Sequence, residues 1–201
     1  MRHGRRRDGD ASRTVRAAPY PRSAVEAGAV SADALVSITG HGEADADASL
    51  FGGRVLRLRF DDVPCPRHQD RSGRTWLGPA DADLASALAF ARTVPAGPDG
   101  GVSVAVHCLM GKSRSAGVAL AILADAFGPG RERDAVAMLL SPGNGSPERP
   151  APRETLSVNP GLVRMADRLL GRGRAVEAAL EEALPRFVSW RAYWVSRGCL
   201  S

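Results

Sequence analysis

Residues 102–127 carry the sequence VSVAVHCLMGKSRSAGVALAILADAF, in which two apolar runs flank a short polar loop. The run from Val102 to Val106 is typical of a buried strand, and the run from Ala116 to Phe127 is typical of a buried helix. Main-chain N–H groups in such a loop, together with the N-terminus of the helix, bind anions of the size of phosphate. The stretch therefore predicts an anion site between a strand and a helix.

The loop also carries a candidate nucleophile. Cys108 ends the predicted strand, and five residues separate it from Arg114. A field that binds an anion also favours the thiolate form of a cysteine, which makes the sulfur reactive. Arg114 offers a planar guanidinium that matches two phosphoryl oxygens, and Gly111 permits a backbone conformation that turns N–H groups inward.

These residues resemble the signature loop of the cysteine-dependent protein tyrosine phosphatases. His107, Cys108, Gly111, Arg114 and Ser115 agree with it, and the RSAG sequence that begins at Arg114 most resembles the dual-specificity-like branch with its compact bacterial members. The resemblance implies a dual-specificity-phosphatase-like fold and hydrolysis of phosphate monoesters through a cysteinyl-phosphate intermediate. Met110 departs from the pattern, since many members have alanine there, and this affects substrate choice more than catalysis.

The resemblance implies a role for each loop residue. Cys108 attacks phosphorus, Arg114 holds two phosphoryl oxygens, and His107 orients the loop. Ser115 either assists the departure of the sulfur or simply begins the helix. The substrate phosphate is bound by the residues of the loop itself: Leu109, Met110, Gly111, Lys112, Ser113 and Arg114.

A general acid must supply a proton to the leaving oxygen. The family places an aspartate after the strand that precedes the signature strand, and Asp62 occupies that place. Asp61 is the main rival, while Asp81 and Asp83 are better explained as acids at a helix start. Asp62 is farther from Cys108 in sequence than is usual in this branch, which an insertion at residues 64–79 explains.

Alternating elements along the chain predict one α/β domain with a central, mainly parallel, twisted sheet flanked by helices. We expect a disordered, arginine-rich leader over residues 1–20, a single catalytic domain over 21–184, and a C-terminal packing tail over 185–201. Ligands of such sheets bind beyond the carboxyl ends of the strands, so Asp62 and the Cys108 loop are predicted to share one edge. The predicted strands are 35–38, 55–60 and 102–106, and the predicted helices are 21–29, 81–91, 115–127, 131–140, 160–170 and 175–184.

The net charge and the number of cysteines bear on the expected partners and compartment. The formal net charge is +5, but residues 1–22 hold seven arginines against two aspartates, so the rest of the chain is neutral on balance. We therefore expect neither nucleic acid as a partner nor stable membrane insertion. The resemblance to the phosphatases implies a phosphorylated protein or a small phosphate ester as the partner. Three cysteines do not indicate a disulfide framework, and a reactive Cys108 needs a reducing compartment, for which the cytoplasm is the default.

Several alternatives stay open. Lys112 is the only lysine of the chain, and extra positive charge in the loop suits a phosphoinositide or inositol phosphate. A non-catalytic phosphate-binding module is a further alternative. A nucleotide-binding P-loop is disfavoured, because Val106 stands where that motif needs glycine.

Three residues outside the loop have weaker interpretations. Cys65 could protect an oxidised Cys108 by forming a disulfide with it, although a plain loop cysteine is the favoured interpretation. Cys65 and His68 form half of a metal-binding motif without an obvious second pair, so no metal or other cofactor is expected. Asn159 is better explained as a helix cap than as a site residue.

Overall fold

The computed structural model of the chain describes residues 14–97, 100–141 and 155–200. The strands are β1 (Thr14–Pro21), β2 (Ala34–Thr39), β3 (Val55–Arg59), β4 (His68–Gln69), β5 (Thr75–Trp76) and β6 (Gly101–Cys108). The helices are α1 (Arg22–Glu26), α2 (Asp81–Thr93), α3 (Arg114–Phe127), α4 (Glu132–Leu140), α5 (Pro160–Leu169), α6 (Ala175–Ala183) and α7 (Pro185–Ser196). A short 3-10 turn spans Ser49–Phe51.

Four parallel strands form the central sheet in the order β1-β6-β2-β3. Because all four strands run the same way, their carboxyl ends meet at one edge of the sheet. The prediction of an α/β fold with a mainly parallel sheet is confirmed. The last residue of β6, Cys108, and the residues that follow β3 lie at that edge.

Strand β6 and helix α3 form the centre of the core. Seven of the eight residues of β6 are buried, as expected for a strand that has neighbours on both sides and is covered on both faces. Eleven of the fourteen residues of α3 are buried, from Arg114 to Ala124. Helix α3 packs against β1, α4 and α5, so the loop between β6 and α3 is anchored at both ends in the core.

The predicted leader over residues 1–20 is wrong from Thr14 onward. Residues 14–21 form β1, whose backbone pairs in register with β6 from Thr14 opposite Gly101 to Pro21 opposite Cys108. Two prolines concealed the strand in the sequence, but β1 is an edge strand, where proline is tolerated because one side of the backbone makes no ladder bonds. Residues 1–13 lie outside the described residues.

The predicted loop at 64–79 contains a small hairpin. Strands β4 and β5 pair antiparallel, with His68 opposite Trp76. Asp70 organises the turn, since its carboxylate accepts hydrogen bonds from the Ser72 hydroxyl and from the Trp76 indole. These two bonds lower the pKa of Asp70 to about 2. The two strands of the hairpin have two residues each and show no periodicity, so the sequence could not reveal them.

The predicted packing tail over 185–201 is mostly helical. Helix α7 begins at Pro185, a favoured residue at the first helical position, and buries Phe187 and Trp194. Within the described part of the chain, no helix combines the length and the apolar character that a bilayer crossing requires. Residues 142–154, between α4 and α5, lie outside the described residues.

Candidate active site

The loop after β6 is held against the end of β1. Gly111 has a φ of +68°, and a Cβ atom there would collide with the main chain of Tyr20 and Pro21. A side chain at this position is therefore excluded both by conformation and by space. The main-chain N–H of Arg22 donates to the carbonyl of Leu109 at 3.3 Å and fixes the loop from the same side.

Cys108 is a free, buried thiol that is 2% exposed. Its Sγ lies 3.2 Å from the Oγ of Ser115, the second residue of α3. The hydroxyl can donate to a thiolate at this distance, which is short for a hydrogen bond to sulfur. The structure therefore pairs these two predicted site residues directly.

Arg114 is the first residue of α3, and it is 5% exposed. Nη1 donates to the carbonyl of Phe60 at 2.9 Å, while Nε is buried without a hydrogen-bond partner in the described residues. A buried donor that lacks an acceptor is costly, and such groups are rare in folded proteins. An anion bound beside Nε would supply the missing acceptor.

Two main-chain carbonyls of the loop accept hydrogen bonds from the segment before α5. The carbonyl of Lys112 accepts from the N–H of Ser157, and the carbonyl of Ser113 accepts from the N–H of Asn159. Because the C=O and N–H of a trans peptide point in opposite directions, the next two N–H groups, of Ser113 and Arg114, point away from residues 157–159. The first N–H groups of α3 also have no acceptor within the helix. These N–H groups are donors that an anion could bind.

His107 is completely buried, and its Nε2 lies 2.7 Å from the Oγ of Ser37 on β2. Burial lowers the pKa of His107 to about 4, so the ring is neutral at pH 7. A neutral, hydrogen-bonded ring orients the end of β6 next to the nucleophile. It brings no positive charge to the site.

Asp62 reaches the loop from the end of β3. Its Oδ1 accepts a hydrogen bond from the Ser113 hydroxyl at 2.6 Å and another from the Asn159 side-chain amide at 3.1 Å. Asp62 is an exposed residue, and its two hydrogen bonds are partly buried. The structure thus brings Asp62 and the Cys108 loop together at one edge of the sheet.

The rival acids make other contacts. Asp61 is 7% exposed, and its oxygens accept from the main-chain N–H groups of His41 and Leu77, which fixes two neighbouring loops. Asp81 pairs with Arg168, and Asp83 accepts from the N–H of Ala80 at the start of α2. Asp62 is the one of the four acids that contacts the loop within the described residues.

The remaining loop side chains face outward. Leu109 is 51% exposed and Met110 is 61% exposed, while Lys112 is half-buried. Leu109 and Met110 therefore present apolar surface beside the loop.

Sequence reasoning missed three partners of the site. Asn159 does cap α5, as predicted, since its Oδ1 accepts from the N–H of Gly161 at 3.0 Å, but its amide also holds Asp62. Ser37 and Phe60 support His107 and Arg114. An asparagine before a proline is a strong signal for a cap, and nothing in the sequence indicates the second role.

The cysteine predictions need correction. Cys65 is joined in a disulfide to Cys199, with a Cα–Cα distance of 5.0 Å, and it does not pair with Cys108. It is therefore neither a plain loop cysteine nor a partner for the nucleophile. The two residues are 134 positions apart, so only the packing of α7 near the hairpin brings them together.

Comparison of the chain with known protein families, with characterised proteins and with solved structures found no match in any of the three.

Proposed function

We propose that the chain is a phosphatase of the dual-specificity type, with a fold of that kind, and that it hydrolyses phosphate monoesters through a cysteinyl-phosphate intermediate. One observation carries the proposal. A free, buried thiol, Cys108, belongs to the same loop as a buried guanidinium, Arg114, whose Nε has no partner among the described residues. A nucleophile in the same loop as a guanidinium that can bind an anion is the arrangement that phosphoryl transfer needs.

In the first step, the Cys108 thiolate attacks phosphorus. The S–P bond forms as the bond to the leaving oxygen breaks, and Asp62 donates its proton to that oxygen. Arg114 and the loop N–H groups hold the charge on the other phosphoryl oxygens. Since phosphate-monoester hydrolysis is among the slowest uncatalysed reactions, each of these contributions is needed.

In the second step, water attacks the cysteinyl-phosphate. The new P–O bond forms as the S–P bond breaks, and Asp62 takes the proton of the water. The Ser115 hydroxyl, 3.2 Å from the sulfur, donates to the departing thiolate and stabilises it. Inorganic phosphate then leaves, and no metal or other cofactor takes part.

The proposed substrates are phosphoproteins. Phosphotyrosine is the preferred residue, and phosphoserine or phosphothreonine comes second. The exposed Leu109 and Met110 suit an apolar or aromatic group beside the phosphate. Lys112 favours a second candidate, a phosphoinositide or an inositol phosphate, because it adds positive charge to the loop. A reactive thiol also favours a reducing compartment such as the cytoplasm.

Hydrolysis of p-nitrophenyl phosphate in the presence of EDTA tests the reaction. We expect turnover by the natural chain and none by Cys108→Ser, whose circular dichroism and tungstate binding should be retained. Trapping with radiolabelled substrate in acid should leave the label on Cys108. Oxyanion binding without turnover would instead identify a phosphate-binding module, and a strict metal requirement would exclude the mechanism.

Substrate preference needs a separate experiment. Rates on a phosphotyrosine peptide, a phosphoserine peptide and a soluble phosphoinositide, measured with the natural chain and with Lys112→Ala, distinguish the two candidates. The first candidate predicts the highest kcat/KM on the phosphotyrosine peptide. The second predicts a preference for the phosphoinositide that Lys112→Ala removes.

A further inference from the structure

Three potential metal ligands meet where the hairpin contacts the C-terminal helix. The ligand atoms of Cys65, His68 and Cys199 all lie within 4.8 Å of one another, and all three residues are half-buried. The Nδ1 of His68 is 3.4 Å from the Sγ of Cys199. This cluster is separate from the Cys108 loop and plays no part in the proposed reaction.

The surrounding structure positions the three side chains. His68 belongs to β4, which pairs with β5, and its ring packs edge-on against Trp194 with ring centroids 5.5 Å apart. Cys199 follows α7, and its N–H donates to the carbonyl of Trp194 at 3.1 Å. Trp194 therefore contacts both sides of the cluster and holds them together by packing and hydrogen bonding.

The donor set suits zinc. Cysteine thiolates and histidine nitrogens are the preferred ligands of Zn²⁺, with bonds of about 2.3 Å to sulfur and about 2.0–2.1 Å to nitrogen. Tetrahedral bond angles then place a bound nitrogen and a bound sulfur about 3.6 Å apart. The 3.4 Å between His68 Nδ1 and Cys199 Sγ is close to this value.

We propose that Cys65, His68 and Cys199 bind Zn²⁺ when the chain is reduced. A dithiol reductant gives two electrons and two protons to the disulfide and becomes a disulfide itself, which leaves two thiols on the chain. Zn²⁺ then binds both sulfurs and the imidazole, and the two thiol protons go to water. Cytosol-like reducing conditions, under which protein disulfides are rare, favour this form.

The cluster offers three ligands and a route of access. Among the described residues, no fourth His, Cys, Asp or Glu joins it, so the fourth position is left for water. An open cleft of about 470 Å³ is lined by Cys65 and Cys199. Its two arginines, Arg164 and Arg168, are paired with Glu177 and Asp81, which limits their repulsion of a cation.

Metal titration of the full chain tests the site. The protein is reduced with dithiothreitol, desalted without oxygen and titrated with Co²⁺, whose absorption reports thiolate ligands and tetrahedral geometry. We expect one equivalent of Co²⁺ to bind, with a sulfur-to-cobalt band in the near ultraviolet, and Zn²⁺ to displace it. The oxidised chain should bind no Co²⁺ until it has been reduced and desalted again.

Variants identify the ligands. His68→Ala should weaken Co²⁺ binding at least 100-fold, more than the loss of a residue that only supports a ligand. Cys108→Ser, which removes the cysteine outside the cluster, should bind as the natural chain does and separates this site from phosphatase activity. The proposal is overturned if the reduced natural chain binds no Co²⁺, if His68→Ala leaves binding unchanged, or if Cys108→Ser abolishes it.

Discussion

The Ser113 hydroxyl donates a 2.6 Å hydrogen bond to Oδ1 of Asp62, and so connects the loop between β6 and α3 with the segment that follows β3. The amide of Asn159 donates to the same oxygen at 3.1 Å. Both donors bind Oδ1, and no donor to Oδ2 is found among the described residues. One oxygen of Asp62 is thus fixed to the loop, and the proposed mechanism assigns the other to the leaving group.

Asp62→Asn should slow the first chemical step, because an amide cannot donate the proton that the leaving oxygen needs. We expect kcat to fall about 100-fold or more on alkyl phosphates and much less on p-nitrophenyl phosphate, whose leaving group needs little protonation. A series of aryl phosphates with different leaving-group pKa values measures this. Asp83→Asn, in the nearby helix start, is the matched control and should leave the series unchanged.

Ser113→Ala should loosen Asp62 without removing it. The lost hydrogen bond to a charged group is worth about 1–2 kcal/mol, so we expect kcat to fall roughly 5- to 30-fold, with a smaller change in KM. In a double-mutant cycle, Ser113→Ala should have little further effect on a chain that already carries Asp62→Asn. Equal effects in both backgrounds would mean that Ser113 acts on the phosphate and not through Asp62.

The loop between β6 and α3 could be predicted from the sequence because its signal is local. Residues 107–115 are contiguous, and the apolar runs on both sides define the strand and the helix that hold them. The parallel sheet followed from alternating elements, and its shared carboxyl edge follows from the parallel order. Local spacing therefore predicted the loop that holds Cys108 and Arg114, whereas the choice of Asp62 rested on the resemblance to the phosphatase family.

The supporting contacts could not be predicted, because they join residues that are distant in sequence. Asn159 reaches Asp62 across 97 positions, and Cys65 meets Cys199 across 134. Such contacts depend on how α5 and α7 pack, which no spacing rule describes. Strand β1 was missed for a different reason, since two prolines in an arginine-rich region outweighed its apolar residues.

Arg114→Lys should keep the positive charge and lose the planar pair of donors. Lysine cannot both donate to the Phe60 carbonyl and bind a phosphoryl oxygen in the guanidinium geometry. We expect kcat/KM for p-nitrophenyl phosphate to fall on the order of 100- to 1,000-fold, as for the loss of a group that stabilises transition-state charge. Arg92→Lys, at an exposed arginine paired with Asp125, is the control and should keep full activity.

The buried ring of His107 should make the stability of the fold depend on pH. Its pKa is lowered to about 4 by burial, while an unfolded histidine has a pKa near 6.5. Between these values the unfolded chain binds a proton that the folded chain does not, so stability falls as the pH falls. With about 1.4 kcal/mol per pKa unit, the loss between pH 7 and pH 5 is about 2 kcal/mol.

Urea unfolding at several pH values between 7 and 5 measures this loss. His107→Gln keeps a side-chain nitrogen that can bond the Ser37 hydroxyl, but that nitrogen cannot titrate. Between pH 7 and pH 5, the free energy of unfolding of this variant should therefore fall by about 2 kcal/mol less than that of the natural chain. The natural chain, measured under the same conditions, should show the full pH dependence. If His107→Gln also retains it, the buried ring is not its source, because the other histidines and the acids are unchanged in that variant.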